Sequence, residues 1–287
     1  MSSQGTDNGR GGFVLYYYTP NIAAAGIFAG VFLLSTILHI WQLVRTRTWY
    51  FLPMVIGALM EGTGYIGRIL SHSDPNKLGP YIMQSVLLLV APALFAASIY
   101  MILGRLISRV EGEEYSIIKV TRLTKVFVWC DVLSFLVQSS GAGLMVRAGS
   151  TSLGEKIILA GLIIQIVAFG IFIVVSLIFH LRMNKAPTAA SRTHEQRAAV
   201  PWNRMLWVLY TASAFIMIRS VFRFVEYVQG FSGYLLRNEV WLYIFDALLM
   251  GITVWLFNWF HPSRAVVHVE GYEETRGSKE RIQMMSA

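Results

Sequence analysis

Seven long apolar stretches divide this chain of 287 residues and limit its fold more than any other feature of the sequence. Each is longer than the ~20 residues that a helix needs to cross the ~30 Å hydrocarbon core of a bilayer. A soluble core helix carries a polar stripe at every turn, and the first and fifth stretches show almost none. The sequence therefore predicts an all-α polytopic membrane bundle of seven transmembrane helices. The stretches are Ile22–Val44, Trp49–Leu70, Leu78–Leu103, Val126–Val146, Ile157–Leu181, Met205–Val228 and Val240–Phe260.

The distribution of basic residues predicts the orientation of this bundle. Of the 24 Lys and Arg residues, three lie inside the stretches, sixteen flank them on one side and five on the other. Because basic residues concentrate on the cytoplasmic side, the N-terminus is predicted to be outside and the C-terminus cytoplasmic. The net charge is +8, but the one-sided distribution of the basic residues is explained by membrane orientation, so no nucleic-acid partner is predicted. The chain divides into an extracellular segment (1–20), the membrane domain (21–261) and a disordered cytoplasmic tail (262–287), with a further loop predicted at 184–200.

Three of the stretches repeat one polar spacing. A charge at membrane depth costs at least ~2.5–3.5 kcal/mol on insertion scales and usually marks a function. Residues at i, i+4 and i+7 share one helix face, and such polar stripes should face protein or water rather than lipid. The three sets are Glu61, Tyr65 and Arg68; Arg219, Arg223 and Glu226; and Glu239, Tyr243 and Asp246.

The polar residues also lie at a similar depth. At about 1.5 Å per residue, six helices place a charged or amide side chain about 9–13 Å below the predicted outer end. Asp131 is the exception, about 8 Å from the cytoplasmic end. We therefore predict a polar chamber in the outer half of the bundle. The candidate substrate-binding residues are Glu61, Tyr65, Arg68, Gln84, Asp131, Gln138, Gln165, Arg219, Arg223, Glu226, Glu239, Tyr243 and Asp246.

A purely architectural role is the alternative for this set, because buried pairs of arginine and carboxylate can serve packing alone. Ion pairs placed for packing need not share one depth, and this favours a functional set. Under either interpretation Arg219 or Arg223 should bond to Glu61, Glu226 or Asp246, since a lone charge at that depth costs several kcal/mol, on the order of 3–5. The three arginines nearly balance those three carboxylates.

Small residues and one proline are expected to shape the helix packing. Gly141 and Gly143, with Gly161 and Gly170, more often permit close approach of helices than line a passage. Pro92 in the third stretch frees a backbone carbonyl and favours a bend.

No cofactor is predicted beyond one hypothesis about haem. His39, His180 and His261 all fall near predicted cytoplasmic helix ends, and two such histidines suffice to ligate a haem. Interfacial histidines are common without any such role. The sequence contains no P-loop motif for ATP hydrolysis and no lysine in the seventh stretch for a retinal Schiff base.

Six of the seven stretches carry short motifs in a fixed order. These are Glu61-Gly-Thr-Gly-Tyr65-Ile-Gly-Arg68; Gln84, Ala91-Pro92, Ala97 to Tyr100 and Leu103-Gly-Arg105; Asp131 with Gln138-Ser-Ser-Gly141-Ala-Gly143; Gly161-Leu with Gln165; Arg219 with Arg223-Phe-Val-Glu226; and Glu239 with Tyr243 and Asp246. The ordered set, which covers the chain from Tyr18 to about Phe260, resembles the fungal RTA-like family of seven-span proteins, also called lipid-translocating exporters.

This resemblance implies a fungal integral membrane protein, often of the plasma membrane. It implies a link to export or flipping of sphingoid long-chain bases and to resistance against membrane-active compounds and drugs. One branch of the family is associated with porphyrin uptake, which makes a porphyrin or haem transporter one alternative.

The leading hypothesis is export or transbilayer translocation of an amphipathic lipid or toxic hydrophobic compound. In it, Glu61, Glu226 and Asp246 hold a cationic head group, and the arginines keep those carboxylates ionised or hold a phosphate. The partners are then membrane lipids and an amphipathic substrate, and the sequence leaves the oligomeric state open.

Two other classes stay open at this point. A seven-span receptor or sensor for lipid or stress fits the predicted topology, but no Asp-Arg-Tyr ends the third stretch and no Asn-Pro-x-x-Tyr closes the seventh. A membrane enzyme with buried carboxylates is the least favoured, because neighbouring arginines stabilise the ionised form over a catalytic acid.

The charge asymmetry generates a first testable prediction, about topology. In sealed vesicles of plasma membrane that keep the cytoplasmic face inside, a tag at the C-terminus should resist added protease. A tag beside Asn8 should be cut in intact cells stripped of their wall. A C-terminal tag that antibodies reach from outside intact cells would overturn both the orientation and the placement of the chamber.

Overall fold

The computed structural model describes residues 21–73, 78–145, 151–198, 200–229 and 238–266, and within these ranges the chain is helical without a strand. The predicted all-helical architecture is thereby confirmed. Short 3-10 turns at Trp49–Phe51 and Glu113–Tyr115 join some of the helices. The helices are α1 Ile22–Thr46, α2 Leu52–Ser73, α3 Leu78–Arg109, α4 Val120–Met145, α5 Thr151–Lys185, the short α6 Ala189–Arg197, α7 Trp202–Gln229, α8 Glu239–Trp259 and the single turn α9 Ser263–Val266.

Five of these helices, α1, α3, α5, α7 and α8, are long and apolar enough to cross a membrane. The other two long helices are less apolar, because α2 carries Glu61 and Arg68 and the first half of α4 carries Arg122, Lys125 and Asp131. The chain is therefore an integral membrane protein, and the crossing by all seven long helices stays a prediction. The predicted terminal segment 1–20 and the tail beyond residue 266 lie outside the described residues.

The long helices form a ring in which each contacts the next. The ring closes because α8 packs against α1, and α3 also contacts α7 across it. Side chains of α3 such as Phe95, Ile99 and Leu103 are fully buried, so α3 is the centre of the core. We call the end where α1, α3, α5 and α8 terminate the basic end, since Arg45, Arg109 and other arginines lie there.

The first helix shows how the sequence produces this arrangement. The Asn21 side chain accepts from the N–H groups of Ala23 and Ala24, which satisfies two donors at the start of α1. Buried residues then recur every three or four positions and form one stripe toward the core. On the opposite face Ile27 and Ile37 are 65% and 63% exposed. Apolar side chains exposed in this way suit a helix that faces lipid.

The chain before α7 differs from the predicted loop at 184–200. The Thr188 side chain caps α6 by accepting a hydrogen bond from the Ser191 N–H. This cap favours a helix in a segment whose polar composition had predicted a loop. The N–H of Val200 donates to the carbonyl of Arg264, so the turn α9 is held against this connection. The first residues of the predicted tail, Pro262 to Ala265, are thus part of the packed structure.

Glycines bring α4 and α5 into backbone contact. A methyl group at Gly141 would stand 2.8 Å from the carbonyl oxygen of Gly154 and 2.9 Å from the nitrogen of Ile158. A methyl group at Gly161 would stand 2.6 Å from Cγ of Gln138. Packing explains these two glycines as predicted, whereas Gly143 has open space around it.

This geometry generates a second prediction, with a matched control on the same helix. We expect Gly141→Ala to lower the free energy of unfolding by about 1–3 kcal/mol, because the new methyl group meets backbone atoms that cannot move aside. We expect Gly143→Ala to be neutral or to stabilise by up to about 1 kcal/mol, because alanine is the better helix former. Thermal unfolding of the purified proteins in detergent measures both; equal behaviour of the two variants would contradict the contact.

Candidate functional site

Arg219 of α7 ties three helices together at the centre of the bundle. Its Nε donates to Oδ1 of Asp246 in α8, and its Nη2 donates to the carbonyl of Leu88 in α3 at 2.6 Å. That carbonyl is available because Pro92, four residues further along α3, has no N–H to donate to it. The carbonyl that the sequence predicted to be freed is therefore used to bind a buried guanidinium.

Asp246 is shared between two arginines. Its Oδ2 accepts from Nη2 of Arg223 at 3.0 Å, while Oδ1 binds Arg219. Nη1 of Arg223 donates to Oε2 of Glu226, three residues further along α7, at 2.9 Å. The prediction that Arg219 or Arg223 bonds to Glu61, Glu226 or Asp246 is confirmed for Glu226 and Asp246, whereas neither arginine bonds to Glu61. Asp246 lies in a π-helical segment, Tyr243–Leu248, a distortion found often at functional sites.

A second group of contacts lies nearer the start of α8. Nε and Nη2 of Arg68 donate to Oε1 of Glu239 at 3.0 and 2.8 Å, and the Tyr243 hydroxyl donates to the same oxygen at 2.9 Å. Both carboxylate oxygens of Glu239 also accept from the N–H of Asn21. These bonds join α2, α8 and the start of α1 at the end of the bundle opposite the basic end.

The arginines and their bonded carboxylates balance in number. Arg68, Arg219 and Arg223 pair with Glu226, Glu239 and Asp246, three charges of each sign. The charge balance predicted from the sequence counted Glu61 rather than Glu239 among the three carboxylates. The structure differs because Arg68 lies two turns beyond Glu61, about 10 Å along α2, where it meets the first turn of α8.

Glu61 is not part of these ion pairs. Its side chain is fully buried, and neither carboxylate oxygen has a hydrogen-bond partner among the described residues. The hydroxyl of Tyr65, one turn further along α2, is likewise buried and without a partner there. Asp246, Arg219 and Arg223 lie close enough to Glu61 to act on it electrostatically. We call Glu61, Tyr65, Arg219, Arg223 and Asp246 the central cluster.

The other candidate residues lie in separate contacts. Nε2 of Gln138 donates to Oγ of Ser134 at 2.7 Å and to Oε1 of Gln165 at 3.2 Å, between α4 and α5. Asp131 accepts from the hydroxyl of Tyr100 at 3.0 Å. Gln84 is buried on α3 beside Gly67 of α2. The structure thus brings nine of the thirteen predicted site residues into two neighbouring groups, whereas Gln138, Gln165 and Asp131 make contacts elsewhere.

The histidines that were considered for haem fall into two places. His39 and His261 have ring centroids 6.5 Å apart, with one nitrogen of each engaged by Val254 and Ser263 respectively. Burial lowers the pKa of His261 to about 4, so this imidazole is neutral at neutral pH. His180 lies elsewhere, with Nε2 at 3.0 Å from Oδ1 of Asn203. Haem ligation by these residues stays a prediction.

An apolar groove is lined by residues of α7 and α8. It encloses about 320 Å³, and its lining positions on α7 alternate with the charged ones. Sequence reasoning missed these residues because each is an ordinary apolar residue on a membrane helix. Their common signal is a position one or two residues from Arg219, Arg223, Glu226 or Asp246. The lining residues are Met217, Ile218, Val221, Phe222, Val225 and Phe245.

Comparison with known proteins adds a family and several relatives. Residues 54–268 match the family described as RTA1 like protein. The chain is 36% identical to protoporphyrin uptake protein 1 of Saccharomyces cerevisiae, over 86% of this chain and 91% of that protein. It is 34% identical to protein RTA1 of the same yeast, over 86% and 84% of the two chains.

A third relative carries a different substrate in its name. The chain is 27% identical to the sphingoid long-chain base transporter RSB1 of Saccharomyces cerevisiae, over 79% of this chain and 68% of that protein. No solved structure matches the chain.

The pairing generates a third prediction, which contrasts two carboxylates in the central cluster. We expect Asp246→Asn to lower the free energy of unfolding by about 3–5 kcal/mol, because both Arg219 and Arg223 lose a charged partner inside the core. We expect Glu61→Gln to leave stability near that of the parent protein, since the exchange breaks no hydrogen bond seen in the structure. Membrane abundance together with the unfolding temperature in detergent measures both, and an equally damaged Glu61→Gln would return Glu61 to the architectural set.

Proposed function

Because this chain belongs to the RTA1-like family of membrane proteins, we propose that it moves an amphipathic cation of the sphingoid long-chain base type across the plasma membrane. The observation that carries the proposal is Glu61, a buried carboxyl group to which no group in the described part of the chain donates a hydrogen bond. It lies beside a network in which the paired charges balance. The function is therefore argued from the chemistry that Glu61 requires.

A buried ionised carboxylate without a partner is strongly disfavoured. Either of two changes removes this cost: the carboxylate takes up a proton, or a cationic group binds to it. The amine of a sphingoid base supplies the charge, and its hydroxyls match the unpartnered hydroxyl of Tyr65. Glu61 then alternates between a protonated state without substrate and an ionised state with the amine bound.

Access to the cluster runs past Arg223. The side chain of Arg223 is 17% exposed, whereas those of Arg219, Glu226 and Asp246 are 4% exposed or less. Its Nε is buried and has no partner among the described residues, so one donor of this arginine is unused within the network. We place the alkyl tail of the substrate in the apolar groove, whose lining includes Phe222, the residue before Arg223 in the chain.

The sequence motifs and Glu61 together limit how transport can be driven. The sequence has no P-loop, so transport has to be downhill, coupled to protons or driven by another protein. Exchange of a proton on Glu61 for the substrate amine favours coupling to protons, with one proton moving against one cationic head group.

The names of the relatives support transport of a membrane-soluble compound. One relative is named for sphingoid long-chain bases and another for protoporphyrin. A porphyrin carries carboxylates rather than an amine, and Arg223, with its free Nε, is the group that favours an anionic head. Transport of an anionic amphipath such as a porphyrin is therefore the second candidate function.

The fourth prediction tests the role of Glu61 in transport. In liposomes holding the purified protein, we expect a fluorescent sphingoid base to cross faster than its N-acetylated form, which lacks the cationic amine. Glu61→Gln should lower that flux by about tenfold or more, the effect of losing about 1.4 kcal/mol or more of interaction. A labelled phospholipid and protoporphyrin are assayed side by side.

Glu195→Gln is the matched control, because it removes an exposed carboxylate of α6 far from the cluster in the chain. It should leave the flux unchanged. Undiminished flux of the sphingoid base in a well-folded Glu61→Gln protein would remove Glu61 from the site. Binding of the base without any flux would favour a receptor, and rapid flux of protoporphyrin alone would favour the second candidate.

A further inference from the structure

A second cavity lies at the basic end of the bundle, away from the central cluster. It encloses about 540 Å³ between the last turns of α3 and the first turns of α4. Its polar lining comes from Arg105, Ser108, Arg109 and Thr124, and its apolar lining includes Met101 and Val120. The transport mechanism proposed above uses none of these residues.

The two arginines present unused positive charge to this cavity. Arg105 and Arg109 are one helical turn apart on α3, and neither forms an ion pair among the described residues. The guanidinium of Arg105 lies over the ring of Tyr50, 4.0 Å from its centroid. This contact fixes the plane of the guanidinium group. Its N–H groups point outward within that plane, where they can donate to a ligand.

The other polar groups indicate the charge of the expected ligand. Oγ of Ser108 donates to Oε1 of Glu113, and Oγ1 of Thr124 donates to the carbonyl of Tyr100, so both hydroxyl protons are engaged. Donors to a ligand therefore come from the guanidinium groups. Val120 is the first residue of α4, and the positive end of that helix adds to the field at the cavity. The arrangement suits an anion with several acceptor oxygens.

The position of the cavity selects a lipid as the source of that anion. Met101 lies two turns inside Arg109 on α3, a helix apolar enough to cross a membrane, so the cavity spans the change from apolar to basic surface. A phosphate at the arginines would leave its glycerol and acyl chains beside Met101 and Val120. Arg122 and Lys125 on α4 are exposed at the same end and lie outside the cavity lining.

We propose that this cavity binds the phosphate of an anionic membrane phospholipid, held by Arg105 and Arg109 between α3 and α4. Two guanidinium forks suit a phosphomonoester, which has three terminal oxygens and up to two negative charges. The phosphodiester of phosphatidylcholine has two terminal oxygens and one charge, which its choline group neutralises. A lipid bound there bridges the ends of two neighbouring helices of the ring and stabilises their contact. This site is independent of the proposed transport function.

The fifth prediction concerns lipid binding by the purified full-length chain in detergent. Native mass spectrometry should show phosphatidic acid retained about tenfold or more tightly than phosphatidylcholine, a difference of about 1.4 kcal/mol or more. Phosphatidic acid should also raise the unfolding temperature. The double variant Arg105→Gln/Arg109→Gln should lose both effects. If it does not fold, Arg109→Gln alone, which breaks no bond seen in the structure, should weaken retention several-fold.

The matched control is Arg122→Gln/Lys125→Gln, which removes the same charge from the same end without touching the cavity lining. It should retain phosphatidic acid. Equal loss in both double variants would show a general charge effect, and full retention in the cavity variants would exclude the site. Glycerol phosphate and inorganic phosphate are tested alongside; protection by either at the same concentration as the lipid would overturn the lipid assignment.

Discussion

The bonds of the Arg219 guanidinium are the interaction on which the rest of this structure depends. A charge in the interior of a membrane helix bundle is stable only if neighbouring groups replace its hydration. Arg219 obtains an anion from Asp246 and a carbonyl oxygen from Leu88, and that oxygen is available only because Pro92 cannot donate to it. One side chain therefore fixes the relative positions of α3, α7 and α8, and the polar groups around it follow from that constraint.

The completeness of this scaffold gives Glu61 its significance. The other buried carboxylates of the network each bind an arginine, so they have reason to stay ionised and in place. Glu61 has none of those bonds although it lies in the field of the same groups. Its charge can therefore change without dismantling the helix packing, which is the property that a proton- or cation-exchanging residue needs.

The two ends of the bundle carry different chemistry. The half opposite the basic end holds Arg68 and Arg223, and each of these arginines forms an ion pair with a carboxylate of the same chain. At the basic end Arg105 and Arg109 face a cavity without such carboxylate partners among the described residues. Paired charges stabilise the protein itself, whereas unpaired arginines in a cavity remain available to a ligand. The transport site and the lipid site proposed above follow from this difference.

The sequence by itself determined the seven long helices, their approximate bounds and the polar stripes, because length, apolarity and spacing are local properties of the chain. It also identified the glycines at 141 and 161 and the carbonyl freed by Pro92. Only the tertiary structure decided partners: Arg68 meets Glu239 rather than Glu61, and Gln138 and Asp131 lie in contacts of their own. The physical reason is that partner choice depends on how helices are rotated and shifted against one another, and the sum of many weak packing contacts sets those positions, which no single stretch of sequence encodes.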